Sequence, residues 1–145
     1  MVEGITLSSE NDSLNSWSIS FVSGDINLWN KDMLFFVRAC RAFTAAIGAY
    51  YLRNTGPGGG LIFYANGTNY IEAASSNQSD GKAWSNIIDQ LSGASGTAIG
   101  TGLTNSNAIV AQAGHTSSAA KLCLDYVNSW GSTVSAAKVC DDLIS

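Results

Sequence analysis

Residues 16 to 22 read Ser-Trp-Ser-Ile-Ser-Phe-Val, and this alternation constrains the fold more than any other stretch of the chain. A period of two places Trp17, Ile19 and Phe21 on one side and Ser16, Ser18 and Ser20 on the other, a separation that an extended strand turns into two faces. The expectation is a strand with one apolar side and one wet, serine-lined side. Gly24-Asp25 supplies a turn, Ile26 to Trp29 a returning partner, and Asn30-Lys31-Asp32 a second turn. Residues 34 to 43 then complete a three-stranded meander.

The run Gly56-Pro57-Gly58-Gly59-Gly60 interrupts the pattern. Beyond it, Leu61 to Tyr64 reads as a strand, Asn66-Gly67 as a turn and Tyr70 to Ala73 as the short partner strand. The C-terminal third changes character. Ser118-Ala119-Ala120-Lys121-Leu122-Cys123 is echoed by Ser135-Ala136-Ala137-Lys138-Val139-Cys140. Each copy sets small or apolar residues at three-four spacing (Ala120, Cys123 and Val127; Ala137, Cys140 and Ile144), which predicts two short amphipathic helices near 117–145. Ser132 or Thr133 is the candidate N-cap of the second. The expected class is therefore α+β, with antiparallel strands in residues 14–75 followed by that helix pair.

A chain of 145 residues with 46% hydrophobic content can bury one core, so residues 1–145 are expected to form a single domain. Charged residues make up only 12%, and the seven Lys and Arg are scattered among 11 Asp and Glu. Phosphate neutralisation needs a basic face, so nucleic acid is not an expected partner. The opening MVEGITLSSEND has no basic region followed by an apolar run, and no conventional secretory leader is expected there. The most apolar window, residues 33 to 52, has the length of a membrane helix, but Arg38 and Arg41 near its middle would each cost roughly 2.5–3.5 kcal/mol to insert. It reads as a buried strand plus connector, with no membrane partner.

Few residues suggest chemistry. Cys40, Cys123 and Cys140 cannot all pair within one chain, and with His115 as the lone imidazole they do not make a zinc site. Buried thiols packing as small hydrophobes is the simpler reading; Cys123 and Cys140 are the candidate disulfide in an oxidising setting. His115 sits in a Gly, Ser and Thr-rich loop and reads as a solvent-exposed histidine. The GTAIGTGLTNSNA run lacks a lysine at phosphate-loop spacing and reads as a structural loop. Asp141-Asp142 are sequence neighbours and point apart on a helix, so they form no acid-base dyad. Trp29-Asn30-Lys31-Asp32 is the nearest match to a calcium-lectin site, but Lys31 would place a positive charge inside the cage. Trp29, Trp84 and Trp130 are the candidate carbohydrate or partner contacts. Three glycosylation-type triplets, at Asn11, Asn66 and Asn77, are what chance supplies in a chain so rich in Asn and Ser.

The order of these segments carries a resemblance. Residues 8–43, closing on Val37-Arg38-Ala39-Cys40-Arg41-Ala42-Phe43, resemble the closing segment of the Lcl C-terminal domain family, a C-type-lectin-like module of bacterial surface and phage proteins. Residues 56–145 resemble its opening segment, through Gly58-Gly59-Gly60-Leu61-Ile62-Phe63-Tyr64, Tyr70-Ile71-Glu72-Ala73-Ala74, Gly81-Lys82-Ala83-Trp84-Ser85-Asn86 and, most specifically, GTAIGTGLTNSNAIV. The order is permuted, and the family's aromatic and proline-containing middle has no counterpart.

The resemblance implies a C-type-lectin-like scaffold whose first and last strands, here 61–64 and 37–43, lie side by side, either by circular permutation or by strand exchange between chains. It also implies a noncatalytic structural or recognition subunit of a phage virion: a decoration, fibre or tail-associated protein. Such a subunit would work as a homo-oligomer, with capsid or other virion proteins or a surface glycan as partners and no cofactor. A bacterial surface adhesin or filament subunit, extracellular or on the cell surface, is the alternative. A small hydrolase or redox enzyme is the third reading.

Overall fold

The structure is a computed structural model that describes residues 5–20 and 23–129. Among these residues eight strands and two helices follow one another as β1 (Ile5–Glu10), β2 (Asn15–Ser20), β3 (Ile26–Asn30), β4 (Phe35–Val37), β5 (Cys40–Thr44), β6 (Leu61–Asn66), β7 (Asn69–Ala73), β8 (Ser79–Lys82), α1 (Gly102–Val110) and α2 (Ala119–Ser129). The strands form three small antiparallel sheets, ordered β1-β2-β3, β4-β8 and β5-β7-β6. The mixed class expected from the sequence is present, and the strands extend beyond the 14–75 interval at both ends.

The β2–β3 hairpin forms in the anticipated place, with Trp17 opposite Leu28 and Ile19 opposite Ile26. The third strand of the expected meander does not join it. Residues 34–43 break at Arg38-Ala39 into β4 and β5, which pair with β8 and β7, and β1 takes the third place beside β2. The faces of β2 are also reversed. Ser16 and Ser18 are 0% and 1% exposed, whereas Trp17 and Ile19 are half-buried and every residue of β3 is exposed. Alternation defines two faces without saying which is inside, and small serines let a sheet lie close against its neighbours.

One consequence is measurable. The Ser16 hydroxyl is buried with no hydrogen-bond partner among the described residues. A buried, unmet polar group costs on the order of 1 kcal/mol or more. Ser16→Ala is therefore expected to raise stability by about 1 kcal/mol in urea unfolding, an effect of opposite sign to that expected had Ser16 faced water.

The hairpin β6–β7 turns at Asn66-Gly67 as the sequence predicts, with Gly67 at φ +62°. Its neighbour differs from expectation. The 37–43 and 61–64 strands are not side by side, because β7 lies between β5 and β6. Pairing Cys40–Thr44 with Asn69–Ala73 joins segments 8–43 and 56–145 within one chain.

The main core gathers Phe35, Val37, Ala39, Ala74, Trp84, Ala94, Ile109, Ala119, Ala120 and Cys123 between the sheets and both helices. Burying Phe35 or Val37 contributes roughly 1.5–3 kcal/mol each. A second cluster stacks Phe43 on Tyr70 at 5.5 Å, with Tyr50 edge-on to both. The connector after β5 is not buried: Ile47, Tyr51 and Leu52 are 80%, 70% and 59% exposed. No helix among the described residues is long and apolar enough to cross a membrane.

The first predicted helix is present as α2, with Ala120 and Cys123 facing the core. The second copy of the repeat, and with it Cys140 and Trp130, lies outside the described residues. The GTAIGTGLTNSNAIV run corrects the expectation of a loop, since its second half is α1. That helix buries Asn105 and Ser106 beside Ile109, so its inward stripe is partly polar and carries little apolar period. Asn105 closes both hydrogen bonds with the Gly96 backbone, at 3.0 and 2.7 Å, and Ser106 Oγ donates to Gly102 O.

Candidate functional site

Two buried ion pairs organise the loops of this molecule. Lys31 follows β3 in what reads as an exposed turn, yet it is 0% exposed. Its ammonium donates to Glu10 Oε2 at 3.1 Å and to Gln90 O at 3.1 Å, and lies 4.7 Å from the centre of the Trp84 ring. The Glu10 carboxylate also accepts the Ser92 N–H at 2.8 Å and the Gly93 N–H at 2.6 Å. Two backbone bonds fasten the same region, Glu10 N–H to Ala94 O at 2.8 Å and Trp84 N–H to Lys31 O at 3.0 Å. Burial pushes the Glu10 carboxyl up, but the Ser92 N–H and the Lys31 ammonium outweigh it and hold the group below its ordinary value. The turn expected at Asn30-Lys31-Asp32 forms, closed by Met33 N–H on Asn30 O at 3.0 Å, with the Lys31 side chain directed inward.

The second pair crosses from β5 to β7, where Arg41 and Glu72 face each other in register and Arg41 Nε donates to Glu72 Oε1. Glu72 is 0% and Arg41 3% exposed. The carboxylate also accepts the N–H of Gly58 at 3.0 Å and of Gly60 at 3.3 Å. This explains the composition of the 56–60 break. A Cβ on Gly58 would stand 2.6 Å from Arg41 Nη2, and one on Gly60 would stand 2.2 Å from the Ala73 carbonyl oxygen.

His115 is half-buried rather than exposed. Its Nε2 lies 2.9 Å from Ser118 Oγ, which in turn accepts the Lys121 N–H at 2.9 Å and so caps α2. Burial and the Lys121 charge push the imidazole pKa down, which favours the neutral ring. Ser118 is 1% exposed, which removes it from contact with a substrate. Asn86 fixes the approach to the helix by accepting the Thr116 and Ser117 N–H groups and donating to Gly114 O. Asp12 makes a comparable surface knot, held at a pKa of about 2 by the Asn15 amide and the Leu14 and Asn15 N–H groups.

Among the described residues no three His, Cys, Asp or Glu side chains come together as a metal cage. Of the candidate contact tryptophans, Trp84 is 2% exposed and packs the core, so its face is not open to a ligand. Trp29 is 40% exposed and meets Phe35 edge-on at 5.8 Å. Cys123 is buried at 0% exposure within the core.

Besides the exposed 47–52 connector, an apolar edge is open. Ile26, Leu28 and Trp29 on β3 are 46%, 44% and 40% exposed, and Leu14, Met33 and Leu34 beside its C-terminal end are 55%, 43% and 65%. The sequence alone points to Trp29 in this group, but not to its neighbours, because the apolar side of β2 reads as the buried one. No protein-family model, curated protein or solved structure matches this chain.

Proposed function

We propose that this chain is a noncatalytic structural subunit that assembles with copies of itself, as a decoration, fibre or tail-associated component of a phage virion on a C-type-lectin-like scaffold. The observation that carries the self-assembling part is the apolar edge around β3, on a molecule whose buried Lys31, Glu10, Arg41 and Glu72 are engaged in fixing loops. Contiguous exposed apolar patches larger than a few hundred Å² mark interaction sites. The noncatalytic part is supported by the burial of Ser118 beside His115. The virion setting and the lectin-like scaffold are supported by the resemblance of residues 8–43 and 56–145 to the Lcl C-terminal domain family.

A surface adhesin is the second reading, favoured by the half-open Trp29 ring as a stacking platform for a sugar.

Native mass followed across a dilution series, together with circular dichroism, tests the proposal. The expected result is a multiple of 15.1 kDa at high concentration that dissociates on dilution. A folded monomer at every concentration would sink self-assembly and leave the glycan reading to be tested with immobilised sugars.

A further inference from the structure

We infer that β3 is the joint between copies: two chains pair their β3 strands antiparallel about a two-fold axis through Leu28, fusing two three-stranded sheets into one of six. This rests on the self-assembling reading above and names the surface and register that it requires.

The backbone of β3 dictates the geometry. In an antiparallel ladder, alternate residues turn both N–H and C=O toward the same neighbour. The bonds Ser20 N–H to Asp25 O and Lys31 N–H to Leu14 O flank the β2–β3 register, so residues 25, 27, 29 and 31 face β2. Residues 26, 28 and 30 therefore direct their backbone groups to the outer edge, where, among the described residues, only Asn30 O is engaged, by the Met33 N–H at 3.0 Å.

Natural edges are normally blunted by charge, proline or a bulge. β3, Ile-Asn-Leu-Trp-Asn, has no charged residue and no proline, and its register with β2 has no shift. All five residues are exposed.

A second copy of the chain fits this edge because the open groups are symmetric about Leu28. Setting Leu28 opposite Leu28 lets those two residues exchange both bonds and sets each Ile26 opposite the other copy's Asn30. It is the register that pairs all three outward-facing residues. Charge agrees with it. Asp25 then lies opposite the residue 31 position and Asp32 opposite Gly24, so no carboxylate directly faces another.

On the face shared with Trp17, the rows become Trp17, Leu28, Leu28 and Trp17, an apolar stripe continuous across the axis. Ile26 and Leu28, exposed on that same face, flank the axis and add apolar contact to the backbone pairing. Each copy has a formal charge of −4, so added salt should strengthen the association.

Sedimentation of the whole chain, of Leu28→Lys and of Leu28→Cys tests the pairing. Leu28 is exposed, so both variants should keep the native circular dichroism spectrum. Leu28→Lys should weaken dimerisation at least tenfold, because it sets two ammonium groups against each other at the axis. Oxidised Leu28→Cys should give a covalent dimer bridged between the two substituted positions, identified by peptide mass. Opposed residues there lie about 5.5 Å apart, within disulfide reach. An oligomer unaffected by Leu28→Lys and not bridged by Leu28→Cys would overturn the β3 joint while leaving self-assembly intact. A native chain that is monomeric throughout would overturn both.

Discussion

Arg41→Met should lower stability by about 3–5 kcal/mol, a large part of the ~5–15 kcal/mol that holds a domain of this size together. The cost comes less from losing an attraction than from what remains. Glu72 is fully buried, and without the guanidinium its carboxylate keeps only the Gly58 and Gly60 N–H groups among the partners described here. A buried charge stripped of its counter-ion is far more expensive than a buried pair is favourable. Adding Glu72→Gln to Arg41→Met should recover part of the loss, because the amide oxygen still accepts a glycine N–H and the stranded charge is gone. Urea unfolding of both single variants and the double variant closes the cycle. A single-variant cost below about 1 kcal/mol would show that the 56–60 loop is held by something other than this pair.

The contrast between what could be read from the sequence and what could not follows the range of the interactions. The β6–β7 hairpin was legible because Asn66-Gly67 and the flanking alternation are local signals. The first repeat helix was legible because Ala120 and Cys123 share a face at three-four spacing. Lys31 and Glu10, by contrast, stand 21 residues apart, and Arg41 and Glu72 stand 31 apart. Neither pair leaves a mark on its own neighbourhood, so Lys31 reads as an ordinary turn lysine. Helix α1 was hidden by a different cause, since Asn105 and Ser106 occupy inward positions that a hydrophobic pattern assigns to solvent. The reversal of β2 shows the same limit: serine reads as the wet residue, whereas here its small volume suits it to the buried side. The open edge of β3 lies beside that reversed strand and has no local signature in the sequence.

Lys31→Met provides the second large effect, and its dependence on pH identifies the mechanism. At neutral pH the variant should lose about 3–5 kcal/mol, because Glu10 is left buried with the Ser92 and Gly93 N–H groups alone. In the native chain the Glu10 carboxyl lies below its ordinary value of 4.5. A depressed carboxyl contributes stability that is present above the unfolded value and lost as pH falls through the folded one. That contribution should therefore fade below about pH 4.5. Removing the ammonium removes one of the influences that oppose burial, so in the variant Glu10 takes up its proton more readily, and acid relieves rather than adds to its cost. The two stabilities should converge as pH is lowered from 7 toward 4. Acid losses common to both chains, such as that of Asp12, cancel in the difference. A gap that stayed constant over that range would mean that Lys31 supports the fold through its contacts with the Trp84 ring and the Gln90 carbonyl, and not through the charge of Glu10.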